Sequence, residues 1–321
     1  MLTPQERRAF RRRLLNWFDE NLRQLPWRAD RDPYRVWISE IMLQQTRVAV
    51  VRDRYPEFMA RFPTLERLAD AKLPQVLAAW SGLGYYRRAR ALHAAARQLV
   101  KNGAGFPRNA EALAALPGIG RYTAAAIASI AFDEPCAVVD GNVERVLGRM
   151  FQVRKQQAWK AASELLDPRR PGDFNQAMME LGATICLPRA PLCAECPVFA
   201  WCSTRGAGVS RSPSLRRKKP VSYRLAVRNG TVFLVRRENH ESLMPGMWEL
   251  PQTRPGARAP VLQLRHAITD TDYEVSVYRS KTANGIPGRW VKLAEVEQLP
   301  LTGLTQKIIR KLCTDALPHK T

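Results

Sequence analysis

The sequence predicts a chain in two parts: a mostly α-helical stretch over residues 1–205, then a smaller α+β stretch over residues 221–321. Three observations carry this. Apolar residues recur at helical spacing through the first part, with Pro or Gly at most joints. After Cys202 the texture changes: residues 206–220 hold five basic and no acidic residues among Gly, Ser and Pro, the composition of a linker. Beyond it the period drops to two, the signature of strands.

The elements follow in order. Thr3, Pro4 and Glu6 read as an N-cap, a proline at the first helical position and a capping-box acid. Phe10, Leu14, Trp17, Phe18 and Leu22 then repeat at helical spacing. Similar patterns cover 36–59, 73–80, 87–100, 110–116, 122–131, 143–150, 159–166 and 175–186. In the second part Tyr223, Leu225 and Val227 alternate, Asn229 and Gly230 supply a type I′ turn, and apolar residues return at Val232 to Val235. Tyr273, Val275 and Val277 alternate again, and no solenoid repeat is present.

Composition limits the function classes. The chain has 321 residues, enough for one large or two ordinary domains, and 45% apolar content excludes a disordered chain. Lys and Arg number 51 against 29 Asp and Glu, a net charge of +22 that points to a polyanion, nucleic acid first and anionic membrane second. No apolar run approaches the roughly 18–20 residues of a membrane span. Residues 1–13 are charged and lack a signal-peptide core, so a soluble protein of the reducing cytosol, acting on the nucleoid, is expected. The basic stretch 206–220 is also suited to lie along a phosphate backbone.

Four cysteines, Cys186, Cys193, Cys196 and Cys202, form a C-x6-C-x2-C-x5-C run. Four thiolates this close can hold an iron–sulfur cluster, hold a structural zinc or form two disulfides. A reducing compartment ranks disulfides last. Zinc sites of four thiolates usually pair two C-x2-C knuckles, and one is present here. Uneven short spacing on one loop suits a [4Fe-4S] cluster better, with zinc as the alternative. Pro197 keeps the stretch out of a helix, as a wrapping loop needs. Cys136 and Cys313 stand alone and read as structural.

Three further features could carry chemistry. Leu116, Pro117, Gly118, Ile119 and Gly120 separate two helical stretches; Gly118 and Gly120 permit a tight hairpin whose N–H groups, with the next helix's positive end, make a phosphate seat. The bland reading is an ordinary helix connection. Asp140 ends an apolar run and precedes a helix, so it is either a plain N-cap or a carboxylate held anionic by the helix end. Glu40 lies among Ile38, Ile41, Met42 and Leu43, either on a solvated helix face or desolvated, with a raised pKa and a proton to give. One carboxyl that donates a proton and one held as an anion form a glycosidase-type pair. Beside a phosphate seat the leaving group would be a nucleobase.

The hairpin LPGIGRYTA, the later VVDGNVERV and the cysteine run together resemble the helix-hairpin-helix base-excision glycosylases with an iron–sulfur cluster, over residues 3–205. Within them PWR at 26–28, SEIMLQQT at 39–46, GLGYYRRAR at 82–90 and NQAMMELGATIC at 175–186 are similar to the adenine DNA glycosylases of the MutY type. The resemblance implies a helical helix-hairpin-helix glycosylase domain that removes adenine mispaired with 8-oxoguanine or guanine in double-stranded DNA, as a monomer. It implies that Glu40 protonates adenine and later handles the hydrolytic water, and that Asp140 stabilises the oxocarbenium-like sugar. Tyr122 and Asn142 would be positioned around the sugar and Asp140. Trp27, Arg28 and Glu180 would line the adenine pocket, and Gln45 and Tyr85 would wedge into the duplex while the base is flipped out. Cys186, Cys193, Cys196 and Cys202 would bind a [4Fe-4S] cluster. Relatives that also cleave the strand carry a lysine two residues after the second hairpin glycine; this chain has Tyr122 there, which implies base removal without strong lyase activity.

The second part resembles a MutT-type (Nudix) domain through Leu243 to Pro251, LMPGMWELP. Hydrolases of that fold hold magnesium on an acidic helix, and residues 251–269 contain no Asp or Glu, so this domain is expected to bind, not hydrolyse. Where the MutY type reads Phe-Ser-His against the lesion, this chain reads Ile268, Thr269, Asp270. Thr269 keeps the hydroxyl, and Asp270 brings an anion near phosphates. The rival readings are a thymine or uracil mismatch glycosylase on the same scaffold, a non-catalytic metal-stabilised DNA-binding protein, and a nucleotide pyrophosphatase, which the missing acidic helix weakens.

Overall fold

The computed structural model describes residues 2–313 except 104, 208–215, 239, 242–243, 256–258, 269–270, 281 and 284. The helices are α1 (Pro4–Asn21), α2 (Pro33–Leu43), α3 (Val48–Arg61), α4 (Leu65–Asp70), α5 (Leu73–Ala79), α6 (Arg87–Asn102), α7 (Ala110–Ala114), α8 (Arg121–Phe132), α9 (Gly141–Phe151), α10 (Ala158–Leu165), α11 (Pro171–Thr184) and α12 (Gly303–Leu312). The chain divides into two compact units, Met1–Ala69 with Ala94–Ser212, and Asp70–His93 with Pro213–Thr321. Among the described residues no helix is long and apolar enough to cross a membrane.

In the first unit α1 starts as the sequence predicts. The Glu6 amide donates to Thr3 Oγ1 at 3.3 Å and the Thr3 amide donates to Glu6 Oε2 at 2.8 Å, with Pro4 first in the helix. Each bond satisfies an N–H that the helix leaves unpaired. The α1 stripe Phe10, Leu14 and Phe18 is buried against Val143, Val146 and Leu147 of α9, Leu165 of α10 and Phe174, Met178 and Leu181 of α11. Burying side chains of this size contributes roughly 1.5–3 kcal/mol each. Helix α8 is buried from Thr123 through Ile130. A Cβ at Gly172 of α11 would sit 2.5 Å from the Ser129 carbonyl of α8, so glycine lets these helices touch.

Two differences from the sequence reading affect the site. The single pattern at 36–59 is two helices, because the chain breaks after Leu43 and Gln45 sits in the left-handed region at φ 55°. Period alone cannot register such a break, since the apolar positions keep phase across it. Helix α4 was not predicted; at six residues it is too short to show a period.

The second unit carries a sheet of β1 (Arg217–Arg228), β2 (Thr231–Arg236), β3 (Trp248–Glu249), β4 (Leu262–Ile268), β5 (Thr271–Ser280) and β6 (Arg289–Lys292). The strand order is β3-β2-β1-β5-β4, with β6 paired to β2. Strand β1 begins at Arg217, so residues 217–220 of the basic stretch are strand; residues 208–215 lie outside the described ones. The predicted β1–β2 turn is present: Asn229 and Gly230 have φ 45° and 67°, both positive as type I′ requires, and Arg228 pairs with Thr231. The parallel pairing of β1 with β5 was not predicted, because alternation says which residues share a face and not which strand lies beside it. Leu225, Val232, Leu234, Val275 and Val277 are buried with Ile308 and Ile309 of α12. The segment Asp70–His93 joins this unit through Tyr86, whose hydroxyl donates to the Leu301 carbonyl at 3.0 Å, and Ser81, which donates to Gln306 Oε1 at 3.1 Å.

Candidate active site

The first unit contains a cavity of about 680 Å³, a size suited to a small molecule or one extruded nucleotide. Separate pieces of chain build it. The tight turn Pro26–Arg28 brings Trp27 and Arg28, α2 brings Glu40, and the break after α2 brings Gln45. The 116–120 hairpin brings Gly118, Gly120 and, one turn on, Tyr122; the start of α9 brings Asp140 and Asn142; α11 brings Glu180. The structure thus gathers ten residues singled out in the sequence. Tyr85 belongs to the second unit, where it is 41% exposed, sits at φ 46° and has the Arg88 guanidinium over its ring at 5.4 Å. Thr269 and Asp270 lie outside the described residues.

Glu40 is buried, 6% exposed, which settles the choice between a solvated and a desolvated face. Its Oε2 accepts the Tyr122 hydroxyl at 2.8 Å. Burial pushes its pKa up to about 7, the nearby Asp140 charge adds to that, and the Tyr122 hydrogen bond and Arg28 oppose it. With Oε2 taken by a donor, the proton of the neutral acid belongs on Oε1. Burial also raises the Tyr122 pKa, so its hydroxyl stays protonated and donates.

That burial has a thermodynamic signature. The native state holds a proton at position 40 that the unfolded chain gives up near 4.5. The stabilisation is complete below 4.5 and is lost as pH rises to about 7. Glu40→Gln does not titrate there. The variant should therefore gain about 3 kcal/mol on the wild type between about pH 4 and about pH 8, read from denaturant midpoints. An unchanged difference across that range would show that Glu40 is not held neutral.

Asp140 caps α9. Its Oδ1 accepts the amides of Asn142 at 2.9 Å and Val143 at 2.7 Å, and its Oδ2 accepts Asn142 Nδ2 at 2.9 Å. The helix-end argument alone predicts a lowered pKa. The structure differs: burial raises it, and the three hydrogen bonds and Arg145 only partly oppose that rise. Arg145 in turn donates to Asn142 Oδ1 at 2.8 Å and to the Gly182 carbonyl at 2.7 Å. A Cβ at Gly182 would lie 2.6 Å from Asn142 Cβ, so α11 closes on the cap only because that residue is glycine.

Glu180 is 2% exposed. Burial alone would raise its pKa, but Arg23 and Arg28 outweigh it and hold the carboxyl below the usual range. Arg23 Nη2 and Arg28 Nη2 both donate to Oε2 at 2.9 Å. The sequence reading missed Arg23, whose role depends on the return of α11 from 157 residues away. It also missed Gln44, which donates to Thr123 Oγ1 at 3.0 Å, and Met179, whose sulfur accepts from the Tyr122 hydroxyl at 3.3 Å. The neighbourhood of Gln44 to Gln45 was a usable signal; the others had none.

The hairpin takes the predicted form. Gly118 has φ 75°, a conformation open to glycine, and the Ile119 amide donates to the Leu116 carbonyl at 3.1 Å. Gly120 caps α8 without any side-chain bond, and no acidic residue stands in the first turn.

The four cysteines line a second, smaller cavity with Val146, Met150, Leu181, Ile185 and Phe199. Tight turns at Cys193–Glu195 and Phe199–Trp201 wrap the loop, as Pro197 suggested. Gly206, at φ 89°, approaches so closely that a Cβ there would be 3.3 Å from Cys193 Sγ. Arg149 Nη1 donates to Cys186 Sγ at 3.4 Å, a charged donor suited to a thiolate. Among the described residues no three His, Cys, Asp or Glu side chains converge on one metal ion. Cys136 stands apart, and burial pushes its thiol up to about 11, the value of an inert side chain.

Residues 38–171 match the family described as HhH-GPD superfamily base excision DNA repair protein. An adenine DNA glycosylase of Rattus norvegicus is 53% identical over 212 residues, 60% of this chain and 41% of that protein. One of Arabidopsis thaliana is 37% identical over 321 residues, 84% of this chain and 51% of that protein. The chain therefore spans about half the length of these relatives or less. Among solved structures, a thermostable thymine-DNA glycosylase is similar with a TM-score of 0.58 and 31% identity, covering 63% of this chain and 97% of that one.

Proposed function

Because the chain belongs to the HhH-GPD superfamily of base excision DNA repair proteins, we propose that it is a glycosylase that hydrolyses the N-glycosidic bond of adenine in duplex DNA, opposite 8-oxoguanine or guanine. One observation carries the reading: a buried Glu40, its pKa raised by burial to about 7, and a capped, multiply bonded Asp140 line one cavity. The adenine DNA glycosylase relatives support the choice of base.

The mechanism uses this chain's residues in sequence. The extruded adenine enters the cavity beside Trp27, where Glu180 has lone-pair capacity left for its amino group after Arg23 and Arg28 are bound. Glu40 gives its Oε1 proton to the imidazole side of the base, while Tyr122 fixes the other oxygen. The C–N bond breaks with its electron pair leaving on adenine. The Asp140 carboxylate offsets the positive charge that grows on the sugar, held there by the two amides and Asn142. Water adds to the sugar carbon and returns its proton to Glu40. Tyr122 in place of an amine provides no Schiff base, so the backbone is left uncut. Borohydride trapping of an enzyme–DNA adduct at the excision rate would contradict this.

The Cys186, Cys193, Cys196 and Cys202 thiols line one cavity, and four thiols on one loop are a donor set suited to a [4Fe-4S] cluster. When bound, the cluster would brace the 186–202 loop. We assign the second unit a MutT-like role in reading the base opposite adenine, with Thr269 as the contact, in a monomeric protein. Purified protein should be yellow-brown; colourless protein with stoichiometric zinc would refute the cluster.

The deciding experiment is excision from duplexes with A opposite 8-oxoguanine, G and C, beside T opposite G. Adenine release from the first two supports the proposal. Thymine release alone would replace it with the activity of the thymine-DNA glycosylase neighbour, and binding without release would leave a DNA-binding protein.

A further inference from the structure

Two buried glutamates, Glu40 and Glu180, line the same cavity, and their pKa values are pushed in opposite directions. At Glu40 burial prevails over Tyr122 and Arg28. At Glu180 Arg23 and Arg28 prevail over burial. Arg23 grips Glu180 with two parallel bonds, Nε to Oε1 at 2.5 Å and Nη2 to Oε2 at 2.9 Å. Arg28 Nη2 adds a third, to Oε2 at 2.9 Å. Arg28 Nη1 also donates to the Arg23 carbonyl at 3.2 Å, which ties down the backbone of the clamp. Arg28 alone would balance the charge of the acid, so Arg23 is a cation beyond neutralisation. Two guanidiniums make a proton on Glu180 costly and hold the group as an acceptor only.

A carboxylate accepts about four hydrogen bonds. One is taken at Oε1 and two at Oε2, which leaves an acceptor site on Oε1 and no proton to give. From this we propose that Arg23 sets which bases the cavity admits: by keeping Glu180 an anion with one open acceptor site, it selects purines that carry a 6-amino group and turns away purines that carry a 6-keto group. The inference rests on the adenine-excising reading above. An amino edge donates into the open site. A keto edge brings its own lone pairs against a buried anion, with no hydrogen between them, and a site built for an N–H group rejects a base that lacks it. A proton on Glu180 would undo the choice, because a neutral acid can donate to a keto oxygen. Arg23 is therefore a positioning residue that acts through Glu180, and its contribution is the charge that keeps that proton away.

The test is single-turnover excision by the full chain from two duplexes that differ only in carrying adenine or hypoxanthine, the 6-keto purine, opposite 8-oxoguanine. The readout is the ratio of the two rates, which a general loss of folded protein or of duplex affinity does not move. Wild type should favour adenine. Arg23→Met leaves Glu180 paired to Arg28 alone, and the ratio should fall about tenfold, by loss on adenine and gain on hypoxanthine. Arg23→Gln, uncharged but still a donor, should move the ratio the same way, which separates charge from packing. Arg23→Lys keeps the charge and loses the fork, so its rate on adenine should drop while the ratio stays within about threefold of wild type. Equal losses on both bases in Arg23→Met and Arg23→Gln, a ratio in Arg23→Lys as low as in Arg23→Met, or a wild type with no preference overturns the inference and leaves adenine excision standing. Wild-type protein that releases no adenine would instead sink the functional reading itself.

Discussion

Replacing Glu40 by Gln is expected to slow adenine release by about 10²- to 10⁴-fold, the range for losing a positioned general acid, while leaving duplex affinity nearly unchanged. Glutamine has almost the same volume and can still accept the Tyr122 hydroxyl at its carbonyl oxygen. The buried side chain therefore keeps its partner and the cavity its shape. What goes is the transferable proton. Wild-type activity should accordingly fall as pH rises through about 7, where Glu40 ionises, and the residual rate of the variant should lack that limb. Single-turnover excision across pH, with binding measured on the same duplex, separates the two effects. Loss of binding in step with loss of rate would mean that Glu40 holds structure or DNA rather than a proton.

The burial of Glu40, one of the two readings its sequence left open, follows from its apolar neighbours. The same holds for the capping box at Thr3 and Glu6, the Asn229–Gly230 turn and the hairpin glycines, where local physics fixes local geometry. Long-range effects were hidden. Nothing near Arg23 announces that α11 will return to place Glu180 beneath it, nor that β1 will pair in parallel with β5. The Asp140 shift shows the limit most sharply. Its helix cap was readable, but the depth at which the cap would be buried depends on how α11 packs, and burial is the larger influence on its pKa. The break after Leu43 lies between these cases, since no period records it, yet it places Gln44 and Gln45 in the cavity wall.

Asp140→Asn should lose about 10²- to 10³-fold in rate, the scale for removing one preorganised electrostatic group, and it should also move the pH profile. Asparagine caps helices as well as aspartate does, so α9 and the stability of the unit should survive. Its carbonyl oxygen can keep the amides of Asn142 and Val143, but its amino group then faces Asn142 Nδ2, donor against donor. The charge that would offset the sugar cation is gone. So is part of what keeps Glu40 neutral, because the Asp140 charge contributes to its raised pKa. In the variant Glu40 should ionise at lower pH, and the alkaline limb should shift downward. For the same reason the two substitutions should not be additive: Asp140→Asn on a Glu40→Gln background has no proton left to release and should cost less than it does alone. An Asp140→Asn enzyme within tenfold of wild type, with its alkaline limb unmoved, would show that the two carboxyls act independently and that the cavity does not stabilise a cationic sugar.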